Sequence, residues 1–78
     1  MNQVMLVGKL VDKGYGYISI RPTSNDTDNM SIFVEIPDTM AQYAENNCEV
    51  NGIIGVKGHI IIEFGQIKIV ADRISFLR

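Results

Sequence analysis

Side chains branched at Cβ dominate the hydrophobic part of this sequence and restrict what it can fold into. The chain contains 12 Ile and 7 Val but only 3 Leu and 3 Ala. Branched side chains lose rotamer freedom in a helix, whereas they pack well on a pleated sheet. With 78 residues, the chain has length for one small domain only. The sequence therefore predicts a single all-β domain over residues 1–78.

Alternation of apolar and polar residues predicts three strands in the first half of the chain. In residues 4–12 both sets of alternating positions are largely apolar, which indicates a strand covered on both sides. Gly8 within this strand predicts a bulge or a bend. Residues 15–21 and 31–36 alternate cleanly and are expected to pair as a hairpin. The polar residues 23–29 between them predict a loop. The inward phase of this hairpin is aliphatic: Gly16, Ile18, Ile20, Ile32, Val34 and Ile36.

One helix is predicted over residues 38–46, with Asp38 as its N-cap and two asparagines ending it. Asn51-Gly52 predicts a turn, and the Ile- and Val-rich stretch that follows predicts two long strands. They cover residues 53–63 and 66–71, with Phe64-Gly65 as the connecting turn and residues 74–77 closing the sheet. Five strands with one short helix between strands 3 and 4 are typical of the OB-fold, a Greek-key barrel.

Charge is distributed unevenly along the chain. Residues 22–52 contain six acidic residues and no basic one, whereas Lys9, Lys13 and Arg21 give the first 21 residues a positive balance. The formal net charge of −2 argues against a protein that coats nucleic acid by bulk charge, because counterion release grows with the number of phosphates neutralised. A groove that gathers the basic residues on one side remains possible.

No catalytic, metal or cofactor site is predicted. Cys48 and His59 offer two soft ligands where a structural zinc site needs four, and a lone cysteine forms no disulfide within the chain. We interpret Cys48 as a small buried hydrophobe and His59 as a strand residue with its hydrogen bonds satisfied. Residues 55–58 have the G-x-x-G spacing of a phosphate-clamping loop, but their Ile/Val-rich context favours bends in a curved strand. We expect a protein that is not an enzyme.

Three aromatic residues are predicted on the outer surface of the first hairpin: Tyr15, Tyr17 and Phe33. One interpretation is that they cover apolar area, as in a subunit interface. The other is a stacking platform, because every base has a π-face and stacking on an aromatic side chain gains roughly 1–3 kcal/mol per base. Basic residues beside such a platform would hold phosphates.

The first half of the chain resembles the cold-shock domains. Residues 13–18, K-G-Y-G-Y-I, are similar to their K-G-F-G-F-I motif, and residues 32–36, I-F-V-E-I, resemble their V-F-V-H-F motif, with Glu35 in place of a histidine. The aromatic residues of both motifs stack bases in that family.

A second resemblance spans nearly the whole chain, to the bacterial single-stranded DNA-binding proteins. It rests on M-N-x-V-x-L-x-G-x-L at the start, G-V-K-G-H-I at 55–60 and A-D-R-I-S-F-L at 71–77. That family also has a helix between strands 3 and 4. The sequence has no Trp. We expect a tight turn where the family has a long arm, and no acidic tail, so the chain resembles a tail-less, primosomal-type member.

These observations predict an OB-fold protein that binds single-stranded nucleic acid, with DNA preferred and RNA possible, in replication, repair or recombination. Tyr15, Tyr17 and Phe33 are expected to stack bases. The expected phosphate contacts are Lys9, Lys13, Arg21 and Lys57. The resemblance and the small size imply a homo-dimer or homo-tetramer and a replication-machinery partner, in the cytoplasm and without a membrane. The alternative is a protein-interaction module whose aromatic face is buried by another protein.

Overall fold

The computed structural model describes residues 2–22 and 30–78, so the loop predicted over 23–29 lies outside the described residues. Five strands and one helix follow each other along the chain. They are β1 (Val4–Gly14), β2 (Tyr17–Pro22), β3 (Ile32–Glu35), α1 (Asp38–Asn47), β4 (Ile53–Glu63) and β5 (Gln66–Phe76). The predicted number of strands and the place of the helix between β3 and β4 are confirmed.

The strands form a closed barrel in the order β1-β2-β3-β5-β4. All neighbours pair antiparallel except β3 and β5, which run parallel. β1 serves both halves of the barrel, because residues 4–9 pair with β4 while residues 8–14 pair with β2. β1 therefore connects the two halves of the barrel.

The core lies inside the barrel and under α1. Its members are aliphatic side chains that alternate along the strands, as the sequence pattern predicts. Those with at most 1% of their surface exposed are Leu10, Ile18, Ile20, Val34, Cys48, Ile54 and Ala71. The interpretation of Cys48 as a buried hydrophobe is confirmed, and burial raises the pKa of its thiol.

The predicted irregularity at Gly8 has a different form from the one expected. The bulge between β1 and β2 lies between Leu10 and Asp12, not at Gly8. Gly8 instead allows close approach of the strands, since a Cβ atom there would overlap the backbone carbonyl of Arg21. The bulge reverses the alternation of β1, so that Lys13 pairs with the inward-facing Ile18.

The last strand is longer than predicted. β5 runs without interruption to Phe76, so residues 74–76 of the separate segment expected from the sequence are part of it. Asp72 and Arg73 break the period-two pattern between two buried residues, Ala71 and Ile74. A register shift at Lys57/Gly58 of β4 accommodates the extra residue.

α1 places Ala41 and Ala44 against the core. The prediction that Asp38 caps the helix was wrong, because Pro37 occupies the N-cap position and no side chain bonds to the free amides. Asp38 lies in the first turn, where its negative charge still favours the helix dipole. Within the described residues, no helix has the length and hydrophobicity that crossing a bilayer requires.

Candidate nucleic-acid interface

Two aromatic rings lie side by side on the outer face of the β2–β3 hairpin. The ring centroids of Tyr17 and Phe33 are 5.1 Å apart and the ring planes meet at 37°. The register of β2 and β3 creates this pair. Phe33 of β3 is the cross-strand partner of Ser19, and Tyr17 lies two residues before Ser19 on the same face of β2. Phe33 has 54% of its surface exposed. The prediction that these two residues share an outward surface is confirmed.

The position of the Tyr17 ring depends on Gly14, its direct partner on β1. A Cβ atom at Gly14 would overlap the ring, so the absence of a side chain lets the ring lie across β1. In this position the Tyr17 hydroxyl donates a hydrogen bond to Asp12 Oδ2 at 3.2 Å. The hydrogen bond and the negative charge of Asp12 raise the pKa of Tyr17.

Lys68 of β5 forms an ionic cluster beside the ring pair. Its Nζ lies 2.8 Å from Glu35 Oε1 and 2.8 Å from Glu63 Oε1. These contacts raise the pKa of Lys68, so it stays charged at neutral pH. Lys68 is not among the site residues predicted from the sequence, since only the parallel β3–β5 pairing brings it next to Glu35.

A shallow groove of about 370 Å³ continues from Phe33 over β5. Phe33 and Glu35 form one wall of this groove, and residues 66–69 form the other. Ile67 is 72% exposed there and gives the groove an apolar surface next to the ring pair. The groove can therefore extend the aromatic surface toward the β4–β5 turn.

Tyr15 does not join the ring pair. The prediction that it begins the second strand was wrong, because β1 continues to Gly14 and Tyr15 lies in the turn before β2. Gly16, with a φ of +85°, completes this turn and ends the alternation on which the prediction rested. Tyr15 is 77% exposed and lines a groove beside α1 with Asp38 and other residues of the helix. The expected platform of three rings is thus a pair, with Tyr15 on a neighbouring surface.

Lys9 and Arg21 lie at the other end of the hairpin from Glu35. They are direct cross-strand partners and therefore face the same side of the sheet. Arg21 lies two residues beyond Ser19, the partner of Phe33, which places it diagonally next to that ring. Neither Lys9 nor Arg21 forms an ion pair with any residue in the described ranges. Both face the side of the sheet that carries the ring pair, and their contact with phosphates stays a prediction.

Lys13 lies away from the ring pair and lines a groove with Tyr15 at the end of α1, so of the three predicted aromatic residues it flanks Tyr15. Its ammonium donates hydrogen bonds to the backbone carbonyls of Glu45 at 3.1 Å and Cys48 at 2.6 Å. The bulge in β1 is the cause, because it turns Lys13 toward the end of α1. Lys13 thus compensates the negative end of a helix that has no basic residue in its last turn.

Lys57 is exposed on β4. It lines an apolar groove of about 340 Å³ with Met5, Val7 and Arg73, its direct partner on β5. Met5 is 71% exposed, so this groove presents apolar surface with two cations at its rim. The partner of Lys57 on β1 is Met5, which lies on the same side of β1 as Lys9.

The end of the β4–β5 hairpin carries exposed apolar residues that the sequence analysis did not assign to a site. Ile62 and Ile67 are direct partners and are 75% and 72% exposed. Phe64, in the turn, is 97% exposed. The predicted turn at Phe64-Gly65 is confirmed, and both residues have positive φ, 53° and 74°. The exposure of several large apolar side chains was the missing signal, and periodicity alone does not reveal it.

His59 belongs to β4, and its side chain contacts the carboxylate of Asp72, with Nδ1 2.9 Å from Oδ2. Gly55 and Gly58 lie in the same strand, so the interpretation of residues 55–58 as a strand segment is confirmed.

Comparisons with known proteins find structural neighbours only. No protein-family model matches the sequence, and no curated protein matches it either. The mitochondrial single-stranded DNA binding protein Rim1 from S. cerevisiae superposes in two crystal forms, with TM-scores of 0.82 and 0.81. Sequence identity is 12% and 13%, and the alignments cover 99% and 97% of this chain and 94% and 92% of Rim1.

A chain of the S. pombe Stn1-Ten1 complex also matches, with a TM-score of 0.68 and 18% identity. This alignment covers 100% of this chain and 60% of the other. The fold of this chain is the OB-fold, as the sequence predicts. The resemblances to bacterial single-stranded DNA-binding proteins and to cold-shock domains remain predictions from sequence motifs.

Proposed function

We propose that this protein binds single-stranded nucleic acid without catalysis, with DNA preferred over RNA, and acts on unpaired strands in replication, repair or recombination. The observation that carries the proposal is the ring pair on the outer face of the hairpin, in which Phe33 is exposed and Tyr17 is partly exposed. Rings at this separation present π-faces to bases without first having to reorganise. Lys9 and Arg21 continue the same face and supply charges for the phosphate backbone. The names of the structural neighbours, which include a mitochondrial single-stranded DNA binding protein, support the choice of ligand.

The test is a fluorescence anisotropy titration with single-stranded DNA, single-stranded RNA and duplex DNA at two salt concentrations. Tyr17→Ala and Phe33→Ala should each weaken binding of single-stranded DNA by roughly 1–3 kcal/mol. Tyr43→Ala is the matched control, because Tyr43 is an exposed aromatic residue on α1, away from the ring pair. Equal affinity of both ring variants and the wild type would remove the ring pair from the binding site.

The salt dependence measures how many cations contact phosphate. With Lys13 bonded to α1, three of the four predicted phosphate contacts remain, namely Lys9, Arg21 and Lys57. Three contacts predict a slope of about −2 for the logarithm of the binding constant against the logarithm of salt concentration. A flat response would mean that these residues do not touch phosphate.

The second candidate is an OB-fold protein-interaction or assembly module. Exposed Ile62, Phe64 and Ile67 at the β4–β5 hairpin favour it, because contiguous exposed apolar surface marks interfaces. A homo-dimer or homo-tetramer that uses the groove at Met5 would leave the ring pair free for DNA, whereas one that uses the hairpin would cover the groove beside Phe33. Sedimentation at micromolar concentration tests the assembly, and a monomer would contradict it. If the ring pair itself is the interface, Phe33→Ala should reduce the assembly while the wild type binds no oligonucleotide.

A further inference from the structure

Two carboxylates border the Tyr17–Phe33 ring pair. Glu35 is the direct cross-strand partner of Tyr17, so its side chain leaves the sheet on the same face as the ring. Asp12 accepts the hydrogen bond of the Tyr17 hydroxyl and therefore lies at the opposite end of the same ring. A base that stacks on Tyr17 has a carboxylate near each end of the ring beneath it.

Within residues 2–22 and 30–78, each carboxylate has one oxygen bonded and one without a partner. Among the described residues, Glu35 uses Oε1 for Lys68 and Asp12 uses Oδ2 for Tyr17. No described residue bonds to Glu35 Oε2 or Asp12 Oδ1. The 2.8 Å contact with Lys68 fixes the Glu35 carboxylate beside the ring before a ligand arrives, which lowers the entropy cost of a further hydrogen bond.

A carboxylate discriminates between bases because it only accepts hydrogen bonds. The exocyclic amino group of cytosine, adenine or guanine donates to it. At the C4 position thymine and uracil present the O4 carbonyl, which is repelled, so the N3–H is the one donor left on that edge of these two bases. Stacking alone is tolerant of sequence, since every base has a π-face. Any preference at this site must therefore come from polar groups at the rim of the ring pair.

We infer that Glu35, assisted by Asp12, selects bases with an exocyclic amino group, so that the protein binds cytosine-containing strands more tightly than uracil-containing ones. This inference rests on the proposed function, because it requires bases to stack on Tyr17 and Phe33. Lys68 positions the Glu35 carboxylate and partly neutralises its charge. This limits the repulsion between Glu35 and the phosphate backbone of a bound strand.

The test compares oligo(dC) with oligo(dU), each about 12 nucleotides long, at neutral pH by fluorescence anisotropy. Cytosine and uracil differ only in the donor and acceptor pattern at N3 and C4, so stacking and backbone charge are matched. The wild type should bind oligo(dC) about fivefold more tightly than oligo(dU). Glu35→Gln should reduce this ratio to less than about twofold, because an amide both donates and accepts.

Glu49→Gln is the matched control, since it removes one exposed carboxylate outside the ring face and should keep the wild-type ratio. A general change in electrostatic attraction alters both affinities equally and leaves the ratio unchanged. Equal binding of the two oligonucleotides by the wild type would overturn the inference and leave the proposed function intact. A Glu35→Gln variant that keeps the ratio would overturn the assignment to Glu35. Absence of binding to either oligonucleotide would overturn the proposed function itself.

Discussion

The Lys13 ammonium lies 2.6 Å from the backbone carbonyl oxygen of Cys48, the residue that follows α1. It also donates to the carbonyl oxygen of Glu45 at 3.1 Å, so a side chain of β1 satisfies two acceptors at the end of the helix. Carbonyl groups at a helix C-terminus lack partners within the helix and carry partial negative charge. Lys13 thus connects the helix to the barrel.

Replacing Lys13 with Met should lower the free energy of unfolding by about 1–2 kcal/mol, because it removes two hydrogen bonds and the charge near the helix end. Urea denaturation followed by circular dichroism measures this loss. The affinity for single-stranded DNA should stay the same, since Lys13 does not face the ring pair. Lys57→Met, at an exposed position, is the control and should leave stability unchanged. An equally stable Lys13→Met variant with weaker DNA binding would restore Lys13 as a phosphate contact.

Period-two alternation identified the inward-facing residues because solvent is excluded from one face of each strand. Ile18, Ile20 and Val34 are buried for this reason. The same rule failed for Lys13, because a bulge reverses the alternation and nothing in the V-D-K-G sequence signals one. Lys68 was missed for another reason, since its contact with Glu35 arises from parallel pairing of strands distant in sequence. Local patterns predict burial, whereas cross-barrel pairing decides which polar residues meet.

Gly8→Ala should destabilise the protein because the new Cβ would overlap the carbonyl of Arg21. Backbone atoms cannot move aside as a flexible side chain can, so we expect a loss of about 1–3 kcal/mol in the free energy of unfolding. Gly55→Ala is a matched control on β4, since the nearest atoms there are 3.9 Å from the new Cβ. Denaturation curves of the two variants give the comparison. Equal stability of both would show that β1 and β2 can separate at Gly8 without cost.

Gly14→Ala should reduce DNA binding although Gly14 itself offers no group to a ligand. Its new Cβ would overlap the Tyr17 ring, which would have to rotate away from Asp12 and change its contact with Phe33. Anisotropy titration should show a loss similar to that of Tyr17→Ala, roughly 1–3 kcal/mol. Tyr17→Phe keeps the ring and should retain most of the affinity. Wild-type affinity in the Gly14→Ala variant would mean that the position of the ring over β1 is unimportant for binding.

Alkaline pH should destabilise the protein through Tyr17. Asp12 raises the pKa of Tyr17 in the folded state above the ordinary value of 10.0. Above pH 10 the folded chain therefore keeps a proton on Tyr17 that the unfolded chain releases. The contribution of the Tyr17–Asp12 hydrogen bond to the free energy of unfolding is fully present below pH 10 and is lost as the pH rises through the folded-state pKa. The free energy of unfolding should fall more steeply above pH 10 in the wild type than in Tyr17→Phe. Identical pH profiles would show that Asp12 does not hold this proton.

Phe64→Asn should stabilise the fold and weaken association. Phe64 and Gly65 both have positive φ, as in the tight hairpin turns in which Asn-Gly is the preferred pair. A bulky residue in this conformation costs roughly 1 kcal/mol, and the 97% exposed ring of Phe64 contributes little packing to offset it. The replacement should therefore raise the free energy of unfolding by about 1 kcal/mol.

An unfavourable residue at an exposed turn indicates a role outside the folded monomer. Sedimentation and anisotropy should accordingly show that Phe64→Asn loses self-association, DNA affinity or both, while Phe64→Tyr retains them. A loss of self-association in sedimentation would identify Phe64 as part of a protein interface. A loss of affinity seen only by anisotropy would identify a contact with nucleic acid. A variant that gains stability without losing either property would leave Phe64 with no role at this hairpin.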